Sequence, residues 1–257
     1  MSKRLEIILT ERPYVNSAEL YQLANFAENI QEFEGLNALR VNHSRKASKI
    51  EKVLIALRGS KTPGSFSLEH PYEHPSKLVD IRHIQLTDWN FSHLSVKDFD
   101  NLIDNRQHWL PNILKESAFI HCRLLDTKFS ELQNMESIQR YEALGIDHSP
   151  LPKKNNGMIV PFNTEIVDTS GNPGYWCFRK GYIEAVGSEM WLGKRFFERV
   201  KLSPEDVLLC AWLETEQLEN DVVYLKAYDK PFDSAEGEQA EIQFKLRELL
   251  FSNAINN

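Results

Sequence analysis

The sequence predicts an α+β fold, with a helix-rich first half and an antiparallel-sheet-rich second half that ends in a C-terminal helix. Apolar residues recur at helical spacing several times before residue 145. After residue 158 short strand-like runs separated by turn residues dominate. Strand and helix signals do not alternate regularly enough for a doubly wound sheet. The 257 residues suffice for two units, 1–147 and 158–257, or for one continuous domain.

Element by element, residues 5–9 read as an opening strand. Asn16 with Glu19 forms a capping-box pattern ahead of a helix whose apolar face is Leu20, Leu23, Ala24, Ala27 and Ile30. A second amphipathic helix is expected over 47–57, then a Pro-, Gly- and Ser-rich loop over 59–76 and a strand over 81–87. Ser95 and Asp98 look like the start of a third helix with Val96, Phe99, Leu102, Ile103 and Leu110 on one face, kinked or ended by Pro111. A strand over 118–125 and a helix over 131–144, closed by Gly145, complete the first half.

The segment 147–157 holds two prolines and an Asn-Gly pair, and is the natural joint. Short strands are expected over 158–160, 165–168, 175–178 and 182–186, the last two joined by an Arg179-Lys180-Gly181 turn. Ser203-Pro204-Glu205-Asp206 is a helix start, with proline in the first turn and acids beside the positive end of the helix. How far that helix runs is left open by the sequence, since 208–216 and 222–228 could instead form a hairpin around Glu219-Asn220-Asp221; a terminal helix over 235–251 closes the chain.

Composition narrows the function classes. Hydrophobic content of 42% and charged content of 26% are those of a globular chain. No apolar run has membrane-spanning length and no signal-peptide pattern opens the chain, so the expected address is the cytoplasm. Cys122, Cys177 and Cys210 lie far apart in apolar settings and read as free thiols. A net charge of −7 disfavours general nucleic-acid binding.

Near-motifs fail on physical grounds. His70 and His74 carry prolines after them, which forbid the helix that would make a spacing of four a chelate. Arg58-Gly59-Ser60-Lys61-Thr62 lacks the phosphate-loop glycines, and Pro63 blocks the following helix. No Gly-x-Ser-x-Gly elbow occurs. His121 and Cys122 are strand neighbours and face opposite ways. No catalytic residue, metal or cofactor is expected.

Two charge features remain. Arg40, Arg45, Lys46, Lys49, Lys52, Arg58 and Lys61 make a basic stretch over 40–61. In the second half, ten acids from Glu205 to Glu238 are opposed only by Lys226 and Lys230. Complementary charge of that kind steers association with a basic partner. Glu214, Glu216, Glu219 and Asp221, with Trp191, are the expected partner-binding residues.

The run Tyr175-Trp176-Cys177-Phe178-Arg179-Lys180-Gly181-Tyr182-Ile183-Glu184, followed by Met190-Trp191-Leu192-Gly193-Lys194-Arg195-Phe196-Phe197, resembles the larger immunity proteins of bacterial polymorphic-toxin and type VI-delivered systems. It is most similar to the type called immunity protein 52. The likeness covers residues 175–197, and Lys194 stands where that type has proline. It implies a non-enzymatic cytoplasmic protein that binds and blocks one cognate toxin domain. The alternatives are an enzyme with a site near the histidine-bearing loop 70–93, and a nucleic-acid-associated regulator using the stretch 40–61.

Overall fold

A computed structural model of the chain describes residues 3–10, 38–41, 66–69, 81–97 and 103–254. Its thirteen strands among those residues are β1 Lys3–Thr10, β2 Ala38–Val41, β3 Phe66–Glu69, β4 Ile81–Leu86, β5 Phe91–Lys97, β6 Phe119–Asp126, β7 Lys153–Asn155, β8 Glu165–Val167, β9 Cys177–Arg179, β10 Tyr182–Glu184, β11 Glu189–Leu192, β12 Glu214–Gln217 and β13 Val223–Lys226. The α-helices among the described residues are α1 Leu110–Leu114, α2 Thr127–Gln133, α3 Ile138–Ala143, α4 Lys194–Val200, α5 Pro204–Leu208 and α6 Gly237–Phe251. Nine strands form one sheet in the order β12-β13-β11-β6-β1-β5-β4-β3-β2. Every pairing in it is antiparallel.

The expectation of a helix-rich first half is overturned. Six of the nine sheet strands come from before residue 130, and most of the helices among the described residues follow them. Residues 95–97, where a helix is expected to start, belong instead to β5, paired with β1 on one side and β4 on the other. Pro111 breaks nothing, because it sits in the first turn of α1, where no intrahelical N–H is needed. The expected loop 59–76 contains β3, which pairs with β2 and β4. The helices expected from Asn16 and over 47–57 lie outside the described residues.

β1 occupies the centre of the sheet because both its faces are apolar enough to be covered. Leu5 and Ile7 face one way, Glu6 and Ile8 the other, and all four are buried. On the Ile8 face, Met190, Leu192, Val223 and Leu225 meet Phe196 and Phe197 of α4 and Leu246, Leu250 and Phe251 of α6. Phe196 is the hub, with Phe251 at 5.9 Å, Tyr182 at 6.4 Å and the His121 ring at 5.3 Å. Strands from both sides of the 147–157 segment share this sheet, since β11 pairs with β6.

The 175–197 run is built into the core. Tyr182 opposes Arg179 across the hairpin turn as expected. Buried Glu184 accepts hydrogen bonds from Arg179 (2.8 Å) and from Arg247 of α6 (2.7 Å), which ties hairpin to helix. Gly193 caps α4; a side chain there would meet Phe119 at 2.8 Å, so glycine is required by the close approach of β6. A second, small core of Met135, Tyr141 and Val167 holds the β7–β8 hairpin against α3.

Candidate functional site

β12 is an edge of the nine-stranded sheet, and edges are where another chain can be met. Glu214 and Glu216 alternate onto one face of it, both exposed. The turn to β13 carries Glu219 and Asp221, also exposed. Asn220 and Asp221 have φ of 60° and 57°, and these are the residue types that tolerate consecutive left-handed positions in a tight hairpin. The four expected acids are thus gathered on one hairpin.

Part of this charge is spent internally. Lys226 lies 3.5 Å from Glu214 and 2.8 Å from Asp229, and Lys115 reaches Glu219 at 3.0 Å. Glu216 and Asp221 have no ion-pair partner among the described residues. Exposed Leu209 and Trp212 lie in the segment leading into β12, 82% and 42% accessible. Acidic groups and apolar side chains therefore stand together near one edge.

Trp191 lies beneath that edge rather than on it, only 6% accessible. Glu216, Tyr224, Trp191 and Cys122 oppose one another in turn across β12, β13, β11 and β6, so they form a row from solvent to core. The Tyr224 ring packs on Trp191 at 5.2 Å and the Arg106 guanidinium lies over it at 5.6 Å. Glu189 closes the arrangement, accepting from Arg106 at 2.6 Å and from the Tyr224 hydroxyl at 3.1 Å. Burial and the Glu189 charge push the Tyr224 hydroxyl pKa up, so the hydroxyl stays protonated as a donor. Arg106 carries no sequence signal for this role; it is brought to β11 by the tertiary fold.

A groove of about 510 Å³ runs along the inner side of the hairpin tip, with Lys115, Lys194 and Arg195 facing Glu198 and Asp221. A neighbouring groove shares Lys194, Glu198 and Asp221 but is lined as well by Phe197, Leu202, Pro204 and Leu218, and so is more apolar. The charge-rich lining of the first groove suits polar protein groups more than an apolar small molecule.

Elsewhere, Arg123 donates to Glu6 at 2.9 Å through Nε and again through Nη2, in the buried centre of the sheet. Burial alone would raise the Glu6 pKa, but the Arg123, His93 and Arg4 charges outweigh it and hold it at about 2. His121 faces Ile8 and Leu192 while Cys122 faces Ile7 and Trp191, so the two point to opposite sides of β6. Burial pushes the Cys122 thiol up, away from thiolate chemistry. His70, His74, the Gly59–Lys61 segment and the basic side chains of 40–61 lie outside the described residues. Among the described residues no three His, Cys, Asp or Glu side chains gather as metal ligands. No helix among them is long and apolar enough to cross a membrane.

No protein-family model matches the chain, so the immunity protein 52 resemblance gains no support there, and no curated protein matches it. Among solved structures it is similar to the Pseudomonas aeruginosa T6SS protein PA0821, with a TM-score of 0.52. That likeness covers 97% of this chain and 73% of the other at 10% identity, and so is one of fold.

Proposed function

We propose that this chain is an immunity protein of a type VI-delivered toxin, which binds one cognate toxin domain in the cytoplasm and blocks it without catalysing a reaction. The observation that carries the reading is the acidic β12–β13 hairpin, where Glu216 and Asp221 stand free of ion pairs among the described residues while Leu209 and Trp212 are exposed nearby. Many delivered toxins act on nucleic acid and are basic, and an acidic edge is complementary to such a surface. The fold likeness to a T6SS protein and the resemblance over 175–197 support the same reading. Trp191, Tyr224 and Glu189 hold the edge in shape from below.

The test is co-expression with the protein encoded beside this chain, followed by measurement of growth and of complex formation. The expected result is rescue of growth by the wild type and a complex that weakens as salt rises. Glu216→Lys with Asp221→Lys should slow association by about tenfold at low salt. A neighbour that is harmless, or that neither is neutralised by the chain nor co-purifies with it, refutes the reading.

A further inference from the structure

The hairpin that joins β7 to β8 carries an unusual tip. Met158, Ile159, Val160 and Phe162 are 60%, 81%, 78% and 65% accessible, with Pro161 standing between the last two. Residues 158–160, expected to form a strand, form none. They lead an exposed turn that packs on nothing of its own.

This turn is nevertheless held in a defined shape. The Asn156 side chain uses its full hydrogen-bonding capacity on it. Its Nδ2 donates to the Phe162 carbonyl at 2.9 Å and to the Thr164 hydroxyl at 3.0 Å. Its Oδ1 accepts from the Met158 and Thr164 amides at 3.1 and 3.2 Å. The Phe162 amide donates to the Ile159 carbonyl at 2.8 Å, and the Asn155 side chain accepts from Gly157 N at 2.8 Å. Gly157 has φ of 75°, the left-handed position that lets the chain reverse there. The base is equally fixed: Val167 enters the small core, its amide bonds Glu136, and Lys154 pairs with Glu136 at 3.0 Å and Asp168 at 3.2 Å.

We infer that the 158–162 tip is a preformed finger that inserts into an apolar cleft of a partner protein. Three observations select this occupant. The tip is one exposed turn of residues 158–162, offering on the order of a few hundred Å² of apolar surface, well short of the roughly 800 Å² per partner of a stable flat interface. Depth in a cleft supplies the contact that a flat face lacks. A second copy does not supply that cleft well within the described residues: of the two grooves beside the other hairpin, one is lined by Lys115, Lys194, Arg195 and Glu198, and the other sets Phe197, Leu202 and Leu218 among Lys194, Glu198, Glu205 and Asp221, so either would bury charges against a finger that offers them no partner.

A bacterial lipid surface is disfavoured by charge. Residues 155–164 contain no charged side chain, and the net charge is −7. The flanking Lys153 and Lys154 are already paired with Glu165, Glu136 and Asp168. Nothing at the finger attracts anionic headgroups, whereas the absence of charge suits a dry protein cleft. The inference shares with the proposed function only the premise of a protein partner.

Two variants separate packing from shape. Ile159→Ser with Phe162→Ser removes the apolar groups, and Asn156→Ala keeps them but unlocks the turn. Both should fold as the wild type does, since the altered groups of the first are exposed. Against the purified product of the adjoining gene, the double variant is expected to bind roughly tenfold or more weaker and Asn156→Ala several-fold weaker. Equal binding by all three overturns the finger while leaving an acidic-edge complex intact. If that product does not bind the wild type, the proposed function fails. The finger is then judged by a photocrosslinking residue at position 159 in cells.

Crosslinks confined to apolar residues lining a cleft of one protein, with reconstituted binding lost in the double variant, support it; crosslinks scattered over several proteins or none at all overturn it. Finger-dependent flotation on vesicles of phosphatidylethanolamine and phosphatidylglycerol, or a wild-type dimer in sedimentation that the double variant abolishes, overturns it as well.

Discussion

Acid sensitivity of the fold should turn on His121. Its ring is fully buried on β6, edge-on to Phe196, and neither ring nitrogen finds a hydrogen-bond partner among the described residues. Burial, with the Arg123 charge close by, depresses its pKa from 6.5 to about 3. The sign follows from that direction. Between pH 6.5 and pH 3 the unfolded chain binds a proton that the folded chain does not, so stability is present above this window and falls as pH falls through it.

From pH 7.5 to pH 5 linkage gives a loss of about 2 kcal/mol from this one group. In a chain of this size that corresponds to a melting temperature lower by roughly 4–8 °C. The perturbation is His121→Leu, which removes the titrating group and two unsatisfied polar atoms at similar volume. Urea unfolding of both proteins at pH 7.5 and pH 5 reads the difference. Glu6, with its pKa at about 2, changes little over this range and does not confound it. The wild type should lose about 2 kcal/mol more than the variant; equal losses in the two proteins would refute the reasoning.

Two further outcomes follow from the sheet interior. Glu6→Gln leaves the Arg123 guanidinium buried without its counter-charge and should cost about 3–5 kcal/mol at pH 7, measured by urea unfolding. Because the Glu6 pKa is depressed, its contribution is present above about pH 4.5 and lost towards pH 2, so the gap between wild type and variant should narrow as pH falls below 4.5. Trp191→Ala should cost roughly 3–5 kcal/mol by thermal melting, because it empties the space between Arg106 and Tyr224. A Trp191→Ala protein as stable as wild type would place that side chain on the surface instead.

The parts of the fold legible in the sequence are those decided locally. β1 and β6 announce themselves by apolar runs, the Arg179-Lys180-Gly181 and Glu219-Asn220-Asp221 turns by residues that accept left-handed backbone, and α5 by Ser203, whose hydroxyl accepts from Glu205 N. The parts that were not legible depend on distant partners. Ser95, Val96 and Asp98 mimic a helix start, yet 91–97 is a strand because β1 and β4 flank it and bury Phe91, Leu94 and Val96. The expected 131–144 helix is broken because Asn134 leaves it to serve another segment, donating to Gly174 O at 3.0 Å and accepting from Trp176 N at 2.8 Å. In the site, the exposure of Glu214, Glu216, Glu219 and Asp221 could be read from their polarity. The depth of Trp191 could not, because β13 and Arg106 determine it. The finger is not legible in the sequence because the three consecutive apolar residues 158–160 imitate a strand, and only the Asn156 network reveals a turn.

The acidic hairpin and the finger differ in what they can contribute to binding. Charge at Glu216 and Asp221 acts over about a Debye length, roughly 8 Å at physiological salt, so it works before contact and governs the rate of encounter. Apolar side chains at 158–162 act only once water is expelled, so they govern how long a complex lasts. Neither suffices alone. Exposed carboxylates contribute little net affinity, and a finger of four side chains buries too little to hold a standard interface. Under the proposed function the chain would need both to meet a delivered toxin quickly and then hold it, on surfaces rigid enough that binding orders little. The Trp191–Tyr224–Glu189–Arg106 arrangement beneath one surface and the saturated Asn156 side chain within the other supply that rigidity. On this reading Glu189 and Arg106 beneath one surface and Asn156 within the other fix shape, which is why substituting them should alter stability or lifetime and leave salt dependence unchanged.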